Sequence, residues 1–353
     1  MKFSAKTRLG LLFLTTICLI GLISALITDS IVTNNIIHEV QEKVKQDLNT
    51  ARYVYASKVR DIDRSIHWAS IRHVLKDVIK KKNVSPIHRE FIDLMVEEKL
   101  DFVTLLDRNG KVVFRFHNPS VSGDSLLGDS FVRMALDRKG VSGTQVIPRA
   151  ELLKEGETLA QKALFRLIPT PKEKATERAE ETSGMVLKSA YPVLDFNREV
   201  LGVLMGGILL NRNYEIVDLI KNIVYKDAKY KGKDMGTVTI FMGDLRISTN
   251  VLDREGTRAV GTRAMKEVFG QVIEKGLPWV QRAFVVDDWY ITAYEPIRDI
   301  HGNIAGMLYV GLLESKYTAI KEKIILLFLL FSMSGMFLAL AVSFLLSWKM
   351  FKK

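Results

Sequence analysis

Arginines and aromatic residues crowd the stretch between positions 246 and 294. Arg246, Arg258, Arg263, Trp279, Arg282, Trp289, Tyr290 and Tyr294 fall there, and Arg115 and His117 form a smaller group upstream. These types suit the capture of a small organic anion. A guanidinium presents a planar fork of donors that matches a carboxylate, and aromatic walls supply the apolar remainder of a pocket. Strand alternation places Trp289, Ile291 and Ala293 on one face and Tyr290, Thr292 and Tyr294 on the other, so only one set can line a pocket. Arg115 and His117 point the same way on a strand, with Asn118, Asp124 and Asp129 nearby.

Nothing comparable points to catalysis or to a bound cofactor. The six histidines (His38, His67, His73, His88, His117 and His301) are scattered, and no Gly-x-Ser-x-Gly, His-Glu-x-x-His or phosphate-binding glycine loop occurs. The single cysteine, Cys18, lies in an apolar run, so disulfides, a thiolate nucleophile outside that run, cysteine metal sites and covalent c-type haem are excluded. The expectation is a non-enzyme with no cofactor and no metal site.

Two runs must anchor whatever these residues form. Residues 9–28 and 324–348 carry no charge, and about 20 helical residues span a bilayer core of ~30 Å. The first run is longer than the apolar core of a signal peptide and continues as a helix, which favours an uncleaved anchor. Lys2, Lys6 and Arg8 precede it, and Lys349, Lys352 and Lys353 follow the second run. Positive charge marks the cytoplasmic side, so both ends are expected inside and residues of about 29–323 outside, at the plasma (inner) membrane. Lys316, Lys321 and Lys323 flank the second run on its outer side and weaken that half of the argument. The net charge of +11 then reads as a solvated surface with basic membrane flanks rather than a nucleic-acid site.

Between the runs, apolar residues at Ile37, Val40, Val44, Leu48, Ala51, Tyr55, Val59, Ile62 and Ile66 recur every three or four positions, which predicts one helix over 29–84. Its stripe is either a homodimer seam or a face packed within the chain. A short helix is expected over 86–99. Strands are expected at 102–106 and 111–116 around the Asn109-Gly110 turn, then at 159–168, 185–193, 201–210, 237–242, 246–249, 280–286, 289–294 and 305–313. Helices are expected at 131–137, 214–223 and 264–275, with residues 169–182 as a solvated loop.

The strand pattern repeats. Residues 190–213 (AYPVLDFNREVLGVLMGGILLNRN) and 293–316 (AYEPIRDIHGNIAGMLYVGLLESK) align Gly202 with Gly306 and Gly207 with Gly311. The hairpin LLDRNGKVVFRFHNP (105–119) and the stretch 256–317, with its paired tryptophans, Ala-Tyr-Glu-Pro strand and Gly-x-Leu-Tyr-Val-Gly strand, resemble the double Cache sensor domains of histidine kinases and chemoreceptors. The resemblance implies an α+β fold: a long N-terminal helix and two PAS-like antiparallel-sheet domains flanked by two transmembrane helices. The expected organisation is a cytoplasmic start at 1–8, a span at 9–28, a stalk helix at 29–84, a membrane-distal domain at 85–213, a membrane-proximal domain at 214–320, a second span at 324–348 and a cytoplasmic stretch at 349–353. The Tyr-x-Arg, Trp and Asp arrangement of the amino-acid-binding subgroup is lacking, so amino-acid ligands are not supported.

The resemblance implies a signal receptor that binds a small molecule, expected to be a small carboxylate, works as a homodimer and passes a conformational change to the second span. The alternative is a membrane-anchored module that binds a protein partner and no small ligand. The expected continuation past residue 353 is the output region of a longer receptor; a stand-alone sensor is the other expectation.

Overall fold

Uninterrupted helix-forming sequence dictates the first element, and a computed structural model shows how far it extends. The structure describes residues 5–81, 84, 85 and 87–350; Lys2, Lys352 and Lys353, and the junction of the two expected helices at 82, 83 and 86, lie outside them. Helix α1 runs Ala5–Ser70, α2 His73–Lys81 and α3 His88–Glu97. The single helix expected to residue 84 therefore breaks at residues 71–72, although neither proline nor glycine stands there. Packing overrides propensity: α2 turns so that Leu75 and Val78 are buried against the first sheet, and Arg72 pairs with Glu90 beside the Phe91 ring.

The chain forms two compact units. One comprises residues 44–312 and the other the described residues on either side of it. The flanking unit contains the start of α1 and all of α9 (Glu314–Met350), and each of these two helices holds a stretch long and apolar enough to cross a membrane. Within this unit Lys321 pairs with Asp29 at 3.1 Å.

In the larger unit the stripe of α1 from Val44 through Leu48, Ala51, Tyr55 and Ile62 to Ile66 is buried, so this part of the open choice resolves as packing within the chain. Tyr55 shares a hydrogen bond with Thr144 at 2.8 Å, and Tyr191 donates to Asp63 at 2.9 Å.

The first sheet is built from β1 (Phe102–Asp107), β2 (Val112–Arg115), β3 (Val141–Ile147), β6 (Gly184–Leu194) and β7 (Val200–Leu209), in the order β2-β1-β7-β6-β3. Between them lie α4 (Ser130–Leu136), α5 (Arg149–Glu155), α6 (Glu157–Ala163) and the two-residue strands β4 (Phe165–Arg166) and β5 (Glu180–Glu181). Two sequence expectations change here. Residues 159–163 are helical and only Phe165–Arg166 are strand, and β6 pairs with β7 on one side and, on the other, with β3, a strand that the sequence pattern does not predict. Leu152, Leu159, Ala160 and Ala163 recur at helical spacing and bury against Phe102, Ile147, Val186 and Leu209, so apolar residues that read as a strand are the inner faces of two short helices.

The second sheet repeats this topology. After α7 (Glu215–Tyr225) and the short β8 (Lys229–Tyr230) and β9 (Lys233–Asp234) come β10 (Gly236–Met242), β11 (Leu245–Thr249), α8 (Lys266–Val268) with a π-helical turn over Phe269–Glu274, β12 (Trp279–Val285), β13 (Asp288–Arg298) and β14 (Ile304–Leu313). The order is β11-β10-β14-β13-β12. Gly202 and Gly306 hold equivalent places: an added Cβ would lie 2.0 Å from the Leu106 carbonyl oxygen in one sheet and 1.9 Å from that of Phe241 in the other. The repeat read in the sequence is thus a repeat of sheet geometry.

Candidate functional site

One face of the second sheet is unusually polar for a buried surface. Register pairs Thr237 with Gly311, Thr239 with Tyr309 and Phe241 with Met307, so these share a face. The Tyr294 and Tyr309 rings, 4.6 Å apart, extend that face across β13 to Tyr290 and Thr292. At the two edges Arg246 stands opposite Phe241 and Trp279 opposite Tyr294. Of the aromatic alternatives on β13, it is the Tyr290 and Tyr294 side that faces inward with Arg246.

Arg246 is only 2% exposed. Its Nη1 donates to Thr262 Oγ1, its guanidinium lies 5.1 Å from the Phe241 ring centre, and its Nε–H has no acceptor. Among the described residues no carboxylate touches it. Burial pushes its pKa down, and burial likewise pushes the hydroxyls of Tyr290, Tyr294 and Tyr309 up. A buried polar donor costs about 1–3 kcal/mol when unpaired, and more when charged. A second orphan sits on the same face: the indole N–H of Trp279 is also buried without a partner.

The surroundings are built to hold this arrangement. Tyr309 and Thr237 share a hydrogen bond of 2.8 Å, and Thr239 and Thr249 one of 2.6 Å. A Cβ at Gly311 would lie 2.2 Å from the Tyr309 oxygen, so only glycine lets that ring lie along its own strand. Residues 259–264 run beside β11: Arg246 N–H donates to the Thr262 carbonyl at 2.8 Å, and Gly261 N–H to the Arg246 carbonyl at 2.9 Å. This segment therefore carries the one hydroxyl that holds Arg246. A cavity of ≈460 Å³ reaches the sheet at Thr237 and Tyr290, with Lys221, Lys233 and Asp288 in its wall.

The other sequence candidates lie elsewhere. Trp289 is on the opposite face, sandwiched by Phe284 at 5.5 Å and the Arg282 guanidinium at 3.9 Å. Arg258 binds Asp218 through both Nη atoms at 2.8 and 2.9 Å and covers Tyr214. Arg263 pairs with Asp244 at 2.8 Å and donates to the Lys174 carbonyl at 2.7 Å. Sequence reading did not single out Tyr309, Thr262 or Thr237. Tyr309 was legible in principle, because Met307, Tyr309 and Gly311 alternate on one strand face; Thr262 was not, because only the folded segment brings it to Arg246.

The same face of the first sheet is closed. Arg115 is fully buried, with Nε donating to Glu155 at 2.9 Å and the two Nη atoms to Asp124 at 2.7 and 2.9 Å. Burial pulls its pKa down and the two carboxylates more than restore it, so it ends raised. Lys188, also buried, binds Asp129 at 2.6 Å, and Asp129 in turn caps α4 by accepting from the Phe131 and Val132 N–H groups. His117 is exposed and meets Thr158 Oγ1 at 3.5 Å.

Residues 207–324 match the family model described as single Cache domain 3. The second sheet is therefore similar to a Cache sensor domain. With the first sheet repeating its strand order, the architecture is that of a double Cache pair. No curated protein matches the sequence. Among solved structures, the periplasmic domain of Vibrio cholerae LuxQ is 10% identical with a TM-score of 0.43 over 76% of this chain and 99% of that one. The V. cholerae histidine kinase DctB sensor domain is 12% identical with a TM-score of 0.43 over 78% and 98%. The ligand-binding domain of Campylobacter jejuni chemoreceptor Tlp3 in complex with L-valine is 10% identical with a TM-score of 0.41 over 83% and 98%.

Proposed function

We propose that this chain is the ligand-sensing part of a transmembrane signal receptor, and that its second Cache domain binds a small organic carboxylate at Arg246. The observation that carries the reading is a fully buried guanidinium with no carboxylate partner and an unused Nε–H. Burying such a charge without compensation is costly, and a carboxylate ligand would complete the fork with paired, charge-assisted hydrogen bonds.

Residues 85–213 and 214–320 are the membrane-distal and membrane-proximal domains in this reading, with residues of about 29–323 extracytoplasmic and both ends inside. Binding favours one of two arrangements of the second domain. Strand β14 is followed by α9 with no residue between them, so a shift of that strand is delivered to the second span. A homodimer is expected through the outward side of α1, where Tyr53 and Trp68 are exposed; cross-linking of a Trp68→Cys chain in membranes checks this.

The test is thermal melting of the full chain in detergent with small carboxylates, amines and purines. A ligand at ~100 times its dissociation constant stabilises by about 2.7 kcal/mol. The expected result is a carboxylate hit that disappears in Arg246→Met. A hit from amines or purines alone, or one indifferent to Arg246, would sink the reading.

A further inference from the structure

We infer that residues 167–174, in the connection between β4 and β5 of the first domain, form a strap that holds the cover over Arg246, and that Arg246 becomes accessible when strap and cover part. What this means for a ligand rests on the reading of Arg246 as its partner; the opening itself does not. Arg246 is nearly fully buried, so nothing reaches it unless part of its enclosure moves. Strands β10, β14 and β13 each pair with a neighbour on both sides. The segment over Arg246, residues 259–264, lies outside the strands of that sheet and supplies Thr262.

Residues 169–182 read in the sequence as a solvated loop, but the structure lays the first half of that stretch along the outer side of this cover. Ile168 N–H donates to the Gly261 carbonyl at 2.9 Å, and Lys266 N–H to the Lys172 carbonyl at 2.8 Å. Between these, Arg263 Nη1 donates to the Lys174 carbonyl at 2.7 Å and Thr170 Oγ1 to the Arg263 carbonyl at 3.4 Å. At Gly261, where φ is +87°, the two segments approach so closely that an added Cβ would lie 2.8 Å from the Arg166 carbonyl oxygen. The cover is thus bonded to β11 on one edge and to the first domain on the other. The side-chain fastenings are exposed ones. Lys174 pairs with the half-exposed Glu274 at 3.0 Å, and Lys172 and Lys174 lie over the Trp289 and Phe269 rings at 5.1 and 4.1 Å. Exposed contacts of this kind contribute little each, so the strap can release as a local opening that leaves both sheets folded.

The experiment locks and loosens the strap in the full chain in detergent. Glu173 and Met265 face each other across an antiparallel bridge, a spacing that suits a disulfide. Glu173→Cys with Met265→Cys, in a Cys18→Ser background, can be oxidised and reduced in one preparation, so the reduced form is its own control. The probe is 2,3-butanedione, an arginine-selective diketone about the size of a small carboxylate. Mass spectrometry reads its addition to Arg246 relative to the exposed Arg108. The expected result is labelling of Arg246 that is at least ~10-fold slower in the oxidised form than in the reduced one. In Thr170→Val with Lys174→Met, which weakens the strap without a cross-link, labelling should be about tenfold faster than in wild type. Equal rates in the oxidised and reduced forms would mean access by another route, such as the cavity at Thr237 and Tyr290, and would overturn the strap. An Arg246 that stays unlabelled in every form overturns it too. A carboxylate hit indifferent to Arg246→Met would sink the ligand reading and leave these rates untouched, so the two can fail separately.

Discussion

Arg115 and Arg246 stand on the same edge strand of two sheets with the same topology, on the same face and two residues apart in register, and both are buried. The first domain answers its arginine from within: Asp124 and Glu155 close it, as Asp129 closes Lys188. The second domain surrounds its arginine with tyrosines, threonines and a phenylalanine, and among the described residues no acid touches it. The cover makes the difference. Helix α5 over the first sheet carries Glu155, whereas the segment over the second, residues 259–264, offers Arg246 the hydroxyl of Thr262. A duplicated fold has thus been filled in one copy and left chemically open in the other, and the open copy is the one that runs into the second apolar helix.

The largest effect expected from this contrast is in the closed copy. Arg115→Met leaves Glu155 and Asp124 facing each other without a cation, and breaking a buried ion pair by removing one partner costs about 3–5 kcal/mol. A urea titration should show the loss as an earlier transition in the first domain; an unchanged midpoint would contradict the ion cluster. Asp129→Ala follows, at roughly 3 kcal/mol, because it strands Lys188 and also removes the cap of α4, itself worth about 1 kcal/mol. Arg246→Met should move the other way. It replaces an unpaired buried charge with an apolar chain of similar length, and should stabilise the unliganded protein by about 1–2 kcal/mol. Melting curves without ligand read this directly, and a destabilised variant would mean that Arg246 is already satisfied. A residue that weakens the fold and is kept for binding is the usual sign of a functional site.

The strands, the glycine-matched repeat and the two apolar helices were legible because each rests on local spacing: period two, paired Gly202 and Gly306, and unbroken apolar runs. The break in the long helix was not, since Leu75 and Val78 have helical spacing on either reading and only the sheet beneath them decides the bend. The site was half legible. Arg246, Tyr290 and Tyr294 could be picked by residue type, but so could Arg258, Arg263 and Arg282. What separates Arg258 and Arg263 from Arg246 is an acid that has claimed the guanidinium, and Asp218 and Asp244 reach them from 40 and 19 residues away, beyond any short sequence window, whereas Arg282 lies over Trp289 on the opposite face of its own hairpin.

The smallest expected effect is in acid, and its sign differs between the copies. The Arg115 hydrogen bonds hold Asp124 below the ordinary aspartate value of about 3.9. At Asp129, burial pushes upward and Lys188, Gln145 and the helix N–H groups more than offset it, so its pKa is also lowered. A carboxyl with a depressed folded-state pKa binds protons more readily when unfolded, so its stabilising contribution is full above about pH 4 and is lost as the pH falls through the lowered value. Asp244 is the opposite case: burial raises it more than Arg263 lowers it. Its contribution favours the folded state in acid and declines as the pH rises from about 4 through its raised value. Acidification below pH 4 should therefore weaken the Asp124 and Asp129 clusters of the first domain before the Asp244 pair of the second, with Asp101, whose pKa burial raises, opposing that loss within the first domain. Hydrogen exchange followed by residue should show amides of β1 and β6 losing protection while those of β10 and β14 keep it. Simultaneous loss in both sheets would mean that the ion clusters of the first domain contribute nothing that the second lacks.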